Sequence, residues 1–134
     1  MARQFTLGKK ERLKSRKQIE QLFNSGQRFV VPSFRVFYSF VPAADQQETE
    51  LLQAGFSASS RNFRTAVSRN RIKRLAREAY RLQKNLLKDQ LKEQKRKLNV
   101  FFIYTGKALP GYDEVYVSIG QALTRLSEIN KKRV

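Results

Sequence analysis

The sequence predicts an α+β sandwich of order α-β-β-α-β-α, a small mixed sheet layered with helices, with residues 1–134 as one domain. Three observations predict it. Phe34 to Val41 alternates with the two-residue period of a pleated strand. From Thr65 onward the apolar residues recur at helical spacing instead. A chain of 134 residues with 40% hydrophobic content can also build a single core, hiding roughly two thirds of its unfolded surface.

Met1 to Lys14 reads as a basic arm. Ser15 then opens a short helix: Ser15 and Gln18 have capping-box spacing, Ile19, Leu22 and Phe23 form one face, and Gly26 closes it. Phe29 to Val41 reads as one strand, in which Phe34, Val36, Tyr38 and Phe40 alternate with Arg35, Phe37, Ser39 and Val41 until Pro42 ends it. Ala43 to Glu50, with Asp45, Glu48 and Glu50, reads as a solvated hairpin tip. Leu51 to Ser59 is the return strand, with Phe56 and Ala58 on one face and Ser57 and Ser59 on the other.

Ile72, Leu75, Ala76, Ala79, Leu82 and Leu86 then fall in one arc of a helix. No Gly or Pro stands between Gly55 and Gly106, so this helix can run into the region of Lys88 to Lys97. Val100 to Tyr104 is a short strand, followed by turn signals at Gly106, Pro110 and Gly111. Asp113 is placed to cap a last helix whose apolar face is Tyr116, Ile119, Leu123, Leu126 and Ile129, and residues 130–134 form a basic tail.

Charge and missing residue types narrow the function. The 28 Lys and Arg against 11 Asp and Glu leave a net charge of +17, which repels itself unless a polyanion accepts it. The chain has no Cys and no His, which excludes disulfides, thiol nucleophiles, Cys-ligated metals and imidazole bases. The charged start lacks the apolar stretch of a signal peptide. The longest apolar run, Val100 to Tyr104, is far short of the roughly 20 residues that span a bilayer. The expectation is a soluble cytoplasmic protein with a nucleic-acid partner, ahead of an anionic membrane surface.

Arg61 to Arg81 carries eight basic residues and one acid, Glu78. With Ile72, Leu75, Ala76 and Ala79 facing the core, Asn70, Lys73, Arg74, Arg77 and Arg81 occupy the opposite arc, flanked by Arg69 and Arg71. A solvated helix face normally mixes signs, because Glu–Lys pairs four residues apart stabilise a helix. Arg69, Lys73, Arg77 and Arg81 instead repeat at that spacing with one sign, which is unfavourable alone and sensible opposite phosphates. Seven of the eight cations are arginine, whose planar fork grips a phosphate or stacks on a base. Asn70 can reach a ribose hydroxyl or base edge. A strand pattern precedes this helix, which argues against a helix-turn-helix.

Ala66-Val67-Ser68-Arg69-Asn70-Arg71-Ile72-Lys73-Arg74-Leu75-Ala76-Arg77-Glu78 resembles the RNR signature of the bacterial ribonuclease P protein subunit. The resemblance extends over roughly Lys10 to Ile129, although only the signature is specific. It implies a left-handed β-α-β crossover, rare among such connections. It also implies a partner, the ribonuclease P RNA, one protein per RNA, and a substrate, the 5′ leader of precursor tRNA. Mg²⁺ would be held mainly by the RNA.

Matched by position, Arg69, Asn70, Arg71, Lys73, Arg74 and Arg77 are the RNA-facing set, with Arg61 in the adjoining loop and Arg12 and Lys14 ahead of the first helix. Ile19, Phe23 and Phe37 match aromatic positions of a leader cleft, although Ile19 cannot stack on a base. Ser57 and Ser59 match serines of the second strand, and Ser60-Arg61-Asn62-Phe63-Arg64 replaces the family's two lysines and glycine.

The strand period independently puts Arg35 and Phe37 on one face with Ser57 and Ser59, a set suited to unpaired RNA. Phe37 has a second reading, as part of a packed face beneath a helix. The resemblance therefore implies an accessory subunit of an endoribonuclease, with no catalytic residue of its own. The alternative is a basic ribosomal RNA-binding protein. A protein-only nuclease lacks the convergent carboxylates, and a membrane-surface helix would need large apolar anchors.

Overall fold

The computed structural model describes residues 11–42 and 51–132. The elements are α1 (Arg16–Ser25), β1 (Gln27–Val31), β2 (Phe34–Pro42), β3 (Leu52–Ala58), α2 (Ala66–Gln83), α3 (Asn85–Gln94), β4 (Arg96–Tyr104) and α4 (Tyr112–Lys132). The α+β class holds, with more pieces than the sequence reading supplied. α1 forms as expected: the Ser15 hydroxyl accepts from the Gln18 N–H at 3.3 Å, and the Gly26 N–H donates to the Leu22 carbonyl at 3.0 Å.

The expected strand from Phe29 to Val41 is a hairpin. Pro32 and Ser33 turn the chain, Ser33 adopts φ 70°, and β1 pairs antiparallel with β2, Phe29 opposite Val36. A proline followed by a residue with positive φ is a type II turn combination, hidden here because Ser rather than Gly takes the left-handed position.

Nor is β3 the return strand of a hairpin. The sheet order is β1-β2-β4-β3, with β4 antiparallel to β2 and parallel to β3. Residues 43–50, read as a hairpin tip, lie outside the described residues; the segment they belong to joins strands that are not neighbours. Alternation reveals which face a strand buries but not beside which strand it lies. β4 lies between β2 and β3, with Val100 to Tyr104 apolar on both faces, and it begins at Arg96, earlier than Val100.

The long helix is two helices. α2 ends at Gln83, and α3 stops where Lys95 enters the left-handed region at φ 53°, its N–H meeting the Leu91 and Lys92 carbonyls. Leu82 and Leu86, placed in the apolar arc, are 39% and 67% exposed. The break at Lys84 ends the arc, and Tyr80 fills the core instead, edge-on to Phe56 and Phe102. In α4, Asp113 and Glu114 lie in the first turn rather than at the cap, a placement that still complements the helix dipole. Val115 and Ala122 are buried with Ile119, Leu123 and Leu126, whereas Tyr116 is exposed. Residues 130–132 end α4 rather than forming a tail.

The sheet has two covered faces. Val36, Tyr38, Leu52, Ala54, Leu98, Val100 and Phe102 meet α2, α3 and α4 in the main core. On the opposite face Phe37 and Phe101 pack with Leu13 and Leu22, with Ile19 and Ile103 alongside. Gly55 makes this second cluster possible, since a Cβ there would lie 2.5 Å from the Phe101 ring. No helix among the described residues is long and apolar enough to cross a membrane.

Candidate nucleic-acid interface

Thr65 caps α2, its hydroxyl accepting from the Ser68 N–H at 3.3 Å, and this sets the phase of the signature helix. Ile72, Ala76 and Ala79 bury toward β3 and α4, which leaves the cationic arc outward as the wheel required. Asn70, Arg71 and Arg74 are exposed; Lys73 and Arg77 are half-buried.

Arg69 is turned to a different task. Its Nη1 donates to the Phe63 carbonyl at 2.7 Å and the Arg64 carbonyl at 3.0 Å, pinning the loop before the helix. Asn62 ties that loop to the β4–α4 turn by donating to the Gly106 carbonyl at 3.3 Å, while Phe63 is buried against Tyr104. Arg61 and Arg64 are thereby presented outward from an ordered loop.

Further along α2, Arg12 joins Arg74, Arg77, Glu78 and Arg81 around a concavity of about 310 Å³. Glu78 is paired with Arg81. The pKa of Arg77 is lowered, first by burial and then by the Arg12 and Arg74 charges. Arginine remains cationic at neutral pH all the same, so four like charges are crowded against one carboxylate. A phosphate entering this concavity would relieve the repulsion.

The second surface lies on the other face of the sheet. In register, Arg35, Ile103 and Ser57 form one row across β2, β4 and β3, and Phe37, Phe101 and Gly55 form the next. Phe37 is 7% exposed and edge-packed by Phe23 at 4.9 Å; Phe23 also meets Phe101 at 5.2 Å. Phe37 is therefore the packed floor, and Phe23, 40% exposed, is the aromatic surface a base can reach. Arg35 is exposed and Ser57 half-buried, while Ile19 lies half-buried against the cluster. Ser59 follows β3 and uses its carbonyl to accept from the Phe63 N–H at 3.0 Å.

The arm joins the two surfaces. Arg12 bridges to Ala54, the Leu13 N–H donates to the Ala54 carbonyl at 2.9 Å, and Lys14 emerges exposed before α1. Of the arm, then, residues 11–14 are docked on the free edge of β3, and residues 1–10 lie outside the described residues. Sequence reasoning missed Phe101, whose place beside Phe37 follows from the β2–β4 pairing, and Glu11, for which no local signal exists.

The fold and surface together define a class, a small basic α+β domain with a face complementary to a polyanion. Residues 7–127 match the family model described as Ribonuclease P. The chain is 37% identical over 123 residues to the ribonuclease P protein component of Porphyromonas gingivalis, covering 92% of this chain and 88% of that one. It is 32% identical over 133 residues to that of Chlorobium phaeobacteroides, covering 92% and 91%. The solved Staphylococcus aureus RNase P protein has the same fold, with a TM-score of 0.62 at 20% identity over 87% of this chain and 94% of that one. The chain belongs to the bacterial ribonuclease P protein subunit family.

Proposed function

We propose that this chain is the RNA-binding accessory subunit of a ribonuclease P ribonucleoprotein, one protein per RNA, acting in the cytoplasm on precursor tRNA. The exposed part of the α2 row, Asn70, Arg71 and Arg74, together with Lys73 and Arg77, binds the catalytic RNA. The groove of Phe23, Arg35, Phe37, Ser57 and Ser59, bordered by Ile19, takes the single-stranded 5′ leader. The observation that carries this reading is the concavity where Arg12, Arg74, Arg77 and Arg81 crowd around a single carboxylate.

The physical work of such a protein is placement. Cations between two RNA surfaces screen phosphate repulsion, so the leader is held where bare RNA would repel it. Phe23 adds stacking that tolerates any base, and Arg35 tracks the backbone beside it. Arg69 contributes by holding its loop, so that Arg61 approaches the RNA from a fixed backbone. Among the described residues no three His, Cys, Asp or Glu side chains converge as a metal site. Glu78 and Glu11 are already taken by cations. The hydrolytic chemistry is assigned to the RNA partner, which would hold most of the Mg²⁺.

The test is cleavage of a precursor tRNA by a transcribed bacterial ribonuclease P RNA at low Mg²⁺, with and without the protein. Wild type is expected to rescue cleavage, and Arg71→Ala/Arg74→Ala to rescue it weakly. No rescue at any concentration, with tight binding to ribosomal RNA instead, would overturn the proposal.

A further inference from the structure

Glu11 is the one acid in a stretch of cations, yet it is only 8% exposed. Its carboxylate pairs with Lys84, whose side chain is 0% exposed at the α2–α3 junction, and its other oxygen lies 3.6 Å from the Lys88 ammonium. Burying two opposite charges gains little stability over apolar packing, because desolvation offsets most of the attraction. The pair therefore calls for another reason, and its position supplies one. Two residues later Leu13 is buried in the second cluster, its N–H bonded to the Ala54 carbonyl. Between the two anchors stands Arg12, exposed, beside Arg74, Arg77 and Arg81.

Left to itself, that position is the last Arg12 would choose. It faces three arginines and one acid, Glu78, that is already engaged by Arg81. A free arm would swing its guanidinium into water and away from like charge. We propose that the Glu11–Lys84 pair is a clasp that holds Arg12 in the arginine concavity before RNA arrives, which makes Glu11 a positioning residue for RNA binding. The proposal deepens the RNA-binding reading above and rests on it. The carboxylate touches no RNA. It sets the backbone from which Arg12 projects, so the ordering cost is met in folding rather than in binding.

The clasp makes a prediction opposite in sign to bulk electrostatics. Glu11→Gln raises the net charge from +17 to +18, which by charge alone tightens binding to any polyanion. If Glu11 positions Arg12, the same substitution weakens it. The experiment titrates a transcribed bacterial ribonuclease P RNA with the full chain across a salt series. It compares wild type, Glu11→Gln, Arg12→Ala and the double variant, at a temperature where circular dichroism shows each folded.

Glu11→Gln is expected to weaken binding about five- to tenfold and to flatten the salt slope by about one, as Arg12→Ala does. The double variant should bind no worse than Arg12→Ala. Binding by Glu11→Gln as tight as wild type or tighter overturns the proposal, as does a defect that adds fully to that of Arg12→Ala. Should Glu11→Gln fail to fold, Glu11→Asp replaces it, keeping the charge on a shorter reach. An affinity between wild type and Arg12→Ala, with no added loss in the Arg12→Ala background, supports the clasp; no defect or an additive one overturns it. Wild-type protein that does not bind this RNA at all removes the RNA-binding reading and the clasp together, whereas a normal wild-type titration with a silent Glu11→Gln removes the clasp alone.

Discussion

Arg69 and Arg71 are two residues apart in one signature and do different work. Arg69 spends its guanidinium on the Phe63 and Arg64 carbonyls, whereas Arg71 is exposed. Arg69→Ala is expected to lower stability by about 1 kcal/mol in urea unfolding, along with RNA affinity, because it frees the loop that carries Arg61. Arg71→Ala should leave the urea midpoint nearly unchanged, within about 0.5 kcal/mol, and weaken RNA binding alone. Equal losses of stability would refute the division of labour. The sequence showed which cations share an arc, since helical phase follows from spacing. It did not show which of them turn inward, because a carbonyl exposed by a loop leaves no mark in residue order. For the same reason Phe37 had two readings: its strand face was legible, but whether α1 would cover it was not. The structure places it beneath Phe23 at 4.9 Å.

At the scale of elements, two boundaries escaped sequence reading for one cause: left-handed backbone positions carried by residues other than glycine. Ser33 hid the β1–β2 hairpin, and Lys95 hid the end of α3. Both are described residues with positive φ, where a Cβ is strained and glycine is not. Lys95→Gly is therefore expected to stabilise the protein by about 0.5–1 kcal/mol, read as a higher urea midpoint with an unchanged slope. A lower midpoint would mean that the lysine side chain supports the turn in some other way. α1 and the start of α2 were legible, because polar residues precede their apolar periods: Ser15 forms the expected bond with Gln18, and Thr65, where the helical period begins, accepts from Ser68. Strand neighbours were not. Nothing in the alternation of Leu51 to Ser59 distinguishes pairing with β2 from pairing with a strand some 40 residues later, and the structure chooses the latter.

For the whole molecule, charge makes two predictions. If about six phosphates are contacted, RNA affinity should fall roughly a thousandfold between about 50 and 200 mM salt, and a flat dependence would exclude the electrostatic reading. Alkaline pH tests the fold. Tyr104 is held above the ordinary tyrosine value of 10.0, first by burial and then by Glu114, and its hydroxyl donates to the Ala108 carbonyl at 2.7 Å. Tyr112 is raised in the same direction, by burial and then by Glu78. A group whose folded pKa is raised contributes stability that is fully present below its unfolded value and is lost as pH rises through the folded one. Denaturant midpoints should therefore fall as pH rises above 10.0, and fall less steeply in Tyr104→Phe.

The central place of β4 has a consequence for synthesis. A nascent chain that has emerged as far as α3 holds a β1–β2 hairpin and a solitary β3 with no strand to join them, since both flanking strands bond to β4. The last strand to leave the ribosome is thus the keystone of the sheet, and the basic helix between β3 and β4 has no finished surface to rest on before then. A chain ended before β4 would carry most of the positive charge yet lack the scaffold that shapes it.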